Sequence, residues 1–116
     1  MKYMLLLYAN TSQAPHYTPE EAQVAMRGWY DAVAEMKKAG VYLTNDGFSP
    51  VAEARTVRVR NDKAVITDGP FATMEEQLTG YIMLDCKDLD EALRWAAKTP
   101  GAKYGSVEVR PVASYS

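Results

Sequence analysis

Three carboxylates lie close together in the segment 67–81, which reads TDGPFATMEEQLTGY. Asp68 stands at a turn, and Glu75 and Glu76 follow it before the next apolar run. Carboxylates held at fixed places beside a cleft are suited to acid–base work on a small polar molecule. The segment is therefore a candidate ligand-binding or catalytic site, with Asp68 and Glu76 as its acidic groups.

The turn that carries Asp68 is stiff for local reasons. Gly69 permits positive φ, and Pro70 fixes φ while withholding an N–H. Phe71 follows directly, and a large aromatic side chain after such a turn is usually packed into the core. Two interpretations stay open: a stiff connection closed by an aromatic plug, or a site whose wall includes Phe71 and Tyr81.

Other candidate ligand contacts lie elsewhere in the chain. Arg58 belongs to an alternating strand pattern, where it is either solvated or faces the carboxylates of the turn or an anionic ligand. Trp29 has a polar tip that suits the edge of a cleft. His16 titrates near neutrality and lies in a polar loop, where it is either solvated or lines the site. We expect the cleft to lie between the sheet and the helices, and no catalytic role is assigned.

Metal ligands are scarce in this sequence. Cys86 is the only cysteine and His16 the only histidine, so neither a thiolate cluster nor a multi-histidine site forms within one chain. Cys86 lies in an apolar run and is predicted to be a buried, inert thiol. The sequence also has no glycine-rich phosphate loop and no nucleophile elbow. We therefore expect no metal and no cofactor.

Length and composition exclude several classes of protein. The chain has 116 residues, 47% hydrophobic and 24% charged, and is predicted to form a single domain over residues 1–116. A net charge of −2 gives no general attraction to nucleic acid or to an anionic membrane. The apolar run at 3–8 is too short for a secretion signal or a membrane span. We expect a cytoplasmic protein.

Apolar spacing and capping signals predict the elements that position these groups. Strands are predicted at 2–8, 41–43, 54–60, 64–67, 80–86 and 106–112. Helices are predicted from the Thr18 cap to Gly40 and from the Asp88 cap to about Lys98, whereas turn signals at 45–50 indicate a loop. One face of the first helix, predicted to be core, holds Ala22, Met26, Trp29, Val33 and Met36. This order is typical of an α+β, ferredoxin-like fold with an inserted β-hairpin.

The predicted helices can cover only one of the two sides of the predicted sheet. Two helices cover one side, yet the strands KYMLLLY and YIMLDC are apolar at nearly every position, so both sides should be buried. A face-to-face homodimer is the economical solution.

Several strings in order, KYMLLLY, TDGPF, EEQLTGY, DLDEALRWAAKTP and YGSVEVRPV, resemble the DGPF-domain branch of the YCII-related family over nearly the whole chain. The resemblance implies a dimeric α+β barrel of ferredoxin-like units, in a family largely without assigned biochemistry. It also implies association with an extracytoplasmic-function sigma factor. YCII-type members carry a histidine on the first helix that pairs with an aspartate in a proposed catalytic site. Trp29 occupies that position here, so the chemistry of that dyad is not expected.

Two functions from different classes follow. The first is binding of a small polar organic ligand in a cleft near the DGPF loop, with metal-free acid–base catalysis as a further step. The second is a non-catalytic regulatory or accessory protein associated with a sigma factor. The first predicts an enclosed pocket, and the second predicts exposed apolar surface beyond the dimer contact. A cofactor-free oxygenase rests only on analogy with other dimeric α+β barrels.

Overall fold

The protein folds into an α+β structure, seen in a computed structural model that describes residues 1–11 and 17–114. The strands are β1 (Lys2–Ala9), β2 (Tyr42–Gly47), β3 (Arg55–Arg60), β4 (Lys63–Asp68), β5 (Gln77–Asp85) and β6 (Ser106–Pro111). The helices are α1 (Pro19–Lys38), α2 (Leu89–Ala97) and α3 (Pro100–Tyr104), and a short 3₁₀ turn covers Val51–Glu53. The short helix α3 begins at Pro100, just beyond the predicted end of the second helix.

Four of the strands form one antiparallel sheet in the order β2-β5-β1-β6. This order is compatible with a ferredoxin-like fold, with β1 and β5 at the centre and β2 and β6 at the edges. The strands β3 and β4 form a separate antiparallel hairpin. Its turn residues Asn61 and Asp62 both have positive φ, 53° and 62°, as a two-residue type I′ turn requires. The predicted inserted hairpin is confirmed.

Helix α1 begins and ends at the predicted signals. The Thr18 side chain accepts a hydrogen bond from the Glu21 N–H, and the Glu21 carboxylate accepts one from the Thr18 N–H, both at 3.2 Å. This reciprocal capping box satisfies two donors at the helix start. At the other end Gly40 takes a φ of +78°, which allows the chain to leave the helix.

The core lies on one side of the four-stranded sheet. It includes Tyr3 and Leu5 of β1, Ile82 and Leu84 of β5, and Met36, Ala92 and Ala96 of the helices. Because Ala92 and Ala96 are small, α2 approaches the sheet closely. The apolar stripe of α1 is buried only toward its C-terminal end, where Met36 is inaccessible, whereas Met26 is 47% exposed. The prediction that Met26 belongs to the core is wrong.

The opposite side of the sheet carries a second set of apolar side chains. Register pairs Met4 with Met83 and Leu6 with Tyr81, so these side chains share a face with Tyr8. We call this set the open face: Met4, Leu6, Tyr8, Tyr81 and Met83. Among the described residues, the helices that pack on the sheet lie on the Leu5 side. The molecule is only 19 Å thick in its shortest dimension, about the depth of one sheet and one helix layer.

The prediction of a loop at Asn45, Asp46 and Gly47 is wrong, because strand β2 continues through them. They pair with Ile82, Tyr81 and Gly80 of β5. The two glycines at the end of this ladder lie opposite each other, where the backbones come very close. A Cβ on Gly80 would lie 2.7 Å from the Asp46 carbonyl oxygen. Pairing between distant segments therefore overrides the local turn preference of this triplet.

The close approach of the two glycine backbones predicts an asymmetric response to alanine. We expect Gly80→Ala to lower the free energy of unfolding by about 1–3 kcal/mol, because the new methyl group meets backbone atoms. The matched control is Gly47→Ala, where an added Cβ meets nothing within 4 Å, with an expected change below ~1 kcal/mol. Urea unfolding measures both, and equal effects would contradict the packing argument.

Burial of Cys86 predicts a pH dependence of stability. Burial, with a smaller contribution from Glu91, raises the pKa of the Cys86 thiol to about 11. An unfolded thiol ionises near pH ~8.5, so the stabilisation is present below that pH and is lost as the pH rises toward 11. Between these limits we expect the unfolding free energy of the wild type to fall more steeply than that of Cys86→Ala, by up to about 3 kcal/mol. Parallel curves for the two proteins would show that the thiol titrates alike in both states.

Candidate functional site

A cleft with a volume of about 560 Å³ opens where the β3–β4 hairpin joins the body of the protein. Its apolar lining includes Tyr8, Phe48, Val51, Pro70, Phe71 and Met74. Because Tyr8 belongs to the open face, the cleft lies on that side of the sheet. Small-molecule sites commonly have volumes of roughly 300–1,000 Å³ and mainly apolar walls, so the size and lining suit a small organic molecule.

Backbone contacts hold one wall of the cleft in place. Gly69 has a φ of +88°, and its N–H donates to the Ala54 carbonyl at 2.7 Å. The Thr56 hydroxyl donates to the Gly69 carbonyl at 2.9 Å. These two bonds tie the turn before Pro70 to the residues that enter the hairpin, so the wall is fixed by the hairpin base rather than by the core.

The arginine that contacts Asp68 is Arg55. The two residues lie opposite each other in the hairpin, and Arg55 Nε lies 3.1 Å from Asp68 Oδ1. Arg55 Nη1 also donates to the Ala52 and Ala54 carbonyls, at 3.2 and 2.8 Å. Arg58 lies three residues further along, opposite Val65. Since the Asp68 side chain is 91% exposed, the ion pair is worth less than ~1 kcal/mol and serves mainly to orient the Arg55 side chain.

Of the two interpretations left open for Phe71, the core plug is wrong. The Phe71 side chain is 76% exposed and forms part of the cleft wall. The reason is the anchoring of Gly69 at the hairpin base, which keeps the following residues away from the helix-covered side of the sheet. Of the six candidate ligand contacts that lie within residues 1–11 and 17–114, Phe71 alone lines this cleft.

Two other candidates are engaged near the cleft. Glu76 Oε2 accepts a hydrogen bond from the Ser106 hydroxyl at 2.9 Å. The Tyr81 hydroxyl donates to Asp46 Oδ2 at 2.9 Å, and this hydrogen bond is the main cause of the raised pKa of Tyr81. The Tyr81 ring lies 6.1 Å from the ring of Phe48, which itself lines the cleft. Tyr81 therefore supports a wall residue from the open face.

A second tyrosine lies directly in the wall. The Tyr8 hydroxyl donates to Glu108 Oε1 at 3.4 Å, across neighbouring strands of the open face. Burial, followed by the negative charge and hydrogen bond of Glu108, raises the pKa of Tyr8. The Tyr8 ring thus lines the cleft, and its hydroxyl points to Glu108 on β6.

Trp29 does not line this cleft. Trp29 packs against the core cluster on the helix-covered side of the sheet, and its ring lies against Gly101. His16 lies outside the described residues. The expected cleft between sheet and helices stays a prediction, and the cleft described above lies on the opposite side of the sheet.

Sequence reasoning missed several wall residues, including Tyr8, Phe48, Val51, Met74 and Arg55. One of them had a usable signal: strand alternation places Tyr8 on the face opposite Tyr3 and Leu5. The others depend on how the loop 48–54 folds against the turn at Gly69. Neither the loop nor the turn has a regular pattern of apolar residues, so their contact could not be predicted from the sequence.

Residues 1–11 and 17–114 hold neither a cluster of metal ligands nor a membrane-spanning helix. Within these ranges, no group of three or more histidine, cysteine, aspartate or glutamate side chains is placed to hold a metal ion. None of the helices found there has the length and apolar character needed to cross a membrane.

Comparison with known proteins places the chain in a family. The model of the YCII-related domain matches residues 1–116. An uncharacterized protein of Rhizobium meliloti (strain 1021) is 35% identical over 117 residues, an alignment that covers 99% of this chain and 94% of the relative. The resemblance of the strings TDGPF and YGSVEVRPV to this family is thus confirmed over the full length. The chain belongs to the YCII-related domain family.

Proposed function

We propose that this protein is a homodimer that binds a small organic ligand in the cleft at the base of the hairpin. The observation that carries the proposal is the cleft itself, about 560 Å³ in volume and walled by Tyr8, Phe48 and Phe71. Aromatic side chains contribute large contact areas to a binding site at a low cost in conformational entropy. A ligand with a flat or aliphatic body fits such walls.

The cleft is preorganised by contacts that do not need the ligand. The Gly69 backbone is bonded to Ala54 and to Thr56, and the Gln77 amide donates to the Met74 carbonyl at 2.9 Å. These bonds hold the walls before a ligand arrives, so less ordering entropy is lost on binding. They also occupy the Thr56 hydroxyl and one donor group of Gln77, which leaves the walls mainly apolar toward a ligand.

The carboxylates first considered for acid–base work have other partners. Asp68 pairs with Arg55, and Glu76 accepts from Ser106. Glu53 is a further acidic residue that lines the cleft, and it offers a partner for a donor group on the ligand. The arrangement supports binding of a mainly apolar ligand with a polar group better than it supports an acid–base reaction on a polar one.

Surface area supports the homodimer. The single chain exposes 8572 Å², whereas a compact monomer of 12.9 kDa exposes about 6,300 Å². Its radius of gyration is 16.3 Å, against about 13 Å for a compact chain of this length. The open face contributes apolar area on the main sheet to this excess of exposed surface. A second copy stacked face to face would cover it and would give the dimeric α+β barrel that the family resemblance implies.

A second candidate function is favoured by one surface of α1. Met26 and Tyr30 lie one turn apart and are 47% and 67% exposed, on the helix that covers the other side of the sheet from the open face. This apolar ridge remains uncovered in a face-to-face dimer, as an accessory or regulatory protein requires. A sigma factor, the partner implied by the resemblance to the DGPF branch, would then bind through α1. Loss of that binding in Tyr30→Ala, with the dimer intact, is the observation that distinguishes this function.

The ligand-binding proposal predicts the outcome of a thermal-shift screen against a library of small organic molecules. A ligand that binds the native state raises the melting temperature, with about 2.7 kcal/mol of stabilisation at a hundredfold excess over its dissociation constant. We expect Phe71→Ala to weaken such ligands by about tenfold, equal to ~1.4 kcal/mol. Removal of this exposed ring leaves the core unchanged.

The matched control for the screen is Tyr104→Ala. Both side chains are aromatic and 76% exposed, but Tyr104 lies on α3, outside the cleft lining. Ligands should therefore stabilise Tyr104→Ala as they stabilise the wild type. If the ligands raise the melting temperature of both variants as much as that of the wild type, they bind elsewhere, which would contradict the assignment of this cleft.

The homodimer predicts a mass in solution of about twice 12.9 kDa by light scattering at micromolar concentration. A mass of one chain under these conditions would overturn the homodimer, while the thermal-shift screen would still report on the cleft.

A further inference from the structure

The hairpin formed by β3 and β4, residues 55–68, projects from the body as an arm. Every residue of the arm except Thr56 is exposed. At its base, Gly69 and Ala54 are bonded to each other. A two-stranded hairpin with no packing partner is marginal in water, so the arm as it stands in one chain is an incomplete structural unit.

One face of the arm is apolar. Register pairs Val57 with Ile66 and Val59 with Ala64, so these four side chains point the same way. Val57 and Val59 are each 61% exposed, and Ile66 is 67% exposed. The other face carries the charged side chains of Arg58, Arg60 and Lys63 beside Val65. The contrast between the two faces is what a strand pair covered on one side shows.

Charge separates the arm from the rest of the chain. The arm holds Arg55, Arg58, Arg60 and Lys63 against Asp62 and Asp68, a formal charge of +2. Since the whole chain carries −2, the remainder carries −4. The open face in particular is bordered by carboxylates, with Asp46 bonded to Tyr81 and Glu108 bonded to Tyr8. The opposite net charges favour the approach of one copy's arm to another copy's body, while Arg58, Arg60 and Lys63 lie on the arm face opposite Val57.

We propose that the arm of each protomer packs its apolar face against the Tyr8 end of a second copy's open face, beside the stacked sheets and next to that copy's cleft. The inference rests on the proposed homodimer and adds the arm as its second contact. The excess surface of the single chain is roughly 2,300 Å², well above the ~800 Å² that a standard interface buries on each partner. The open face is already half-buried, so it accounts for only part of this excess, and the exposed arm accounts for more.

The arrangement gives each cleft a wall from the other chain. Because the cleft lies on the open-face side and begins at Tyr8, an arm placed on that face covers the mouth of the cleft. The site is then complete only in the dimer, and Val57 or Ile66 of the partner subunit is a candidate ligand contact.

The test compares two valine substitutions on opposite faces of the same arm. We expect Val57→Asp to raise the dimer dissociation constant by about a hundredfold or more, because the new carboxylate would be buried without a partner. The matched control is Val65→Asp, which places the same charge opposite Arg58 and should leave the constant within about threefold of wild type. Sedimentation equilibrium gives the constants, and circular dichroism confirms that both variants are folded.

Hydrogen exchange of the arm amides is the second measurement and needs no variant. We expect protection of residues 55–68 at concentrations where the wild type is dimeric, and loss of that protection on dilution to monomer. A wild-type dimer whose arm amides exchange freely, or equal dissociation constants for the two variants, would overturn the arm contact while leaving the homodimer in place. A wild type that is a single chain with an exposed arm would overturn both, and the thermal-shift screen would remain the separate test of the cleft.

Discussion

Strand β1 is apolar on both of its faces, and this constraint governs the shape of the molecule. Tyr3 and Leu5 point into the core with the helices, while Met4 and Leu6 point the other way. The two long helices cover one face of the sheet, so the side chains of the other face remain partly exposed to solvent. The flat form, the large surface and the position of the cleft all follow from this imbalance, because the cleft forms where loops fold over the edge of the uncovered face.

The cleft is built by backbone hydrogen bonds rather than by a packed core. Gly69 reaches Ala54 and Thr56, and this clamp simultaneously fixes the start of the hairpin and the turn that presents Phe71. One small set of bonds thus sets the direction in which the arm leaves the body and the width of the cleft beside it. A change that moves the arm must therefore also move a wall of the cleft, so the proposed assembly and the proposed ligand binding share one element.

Local signals predicted the parts of the fold that depend on local bonds. The Thr18–Glu21 capping box and the Asn61–Asp62 turn are complete within four residues, so their sequence determines their geometry. Phe71 and the triplet 45–47 behaved otherwise because their partners are distant: the triplet pairs with β5, and Phe71 follows a turn anchored to residue 54. The family and the α+β class were predictable from the ordered strings, whereas the side of the sheet that holds the cleft was not. It depends on the loop 48–54, which has no periodicity to read.

The arm contact, if it closes the cleft, makes ligand binding and dimerisation two sides of one equilibrium. Any ligand that touches residues of both chains must tighten the dimer by the same factor by which the dimer tightens the ligand, since the coupling free energy is shared. The screen for ligands and the measurement of the dimer constant are then linked. A ligand of the cleft should shift protein mass toward the dimer at dilute concentrations, whereas a molecule that binds the α1 ridge near Tyr30 has no such means of doing so. The response of the dimer to a ligand therefore reports where the ligand binds, even before a bound structure is known.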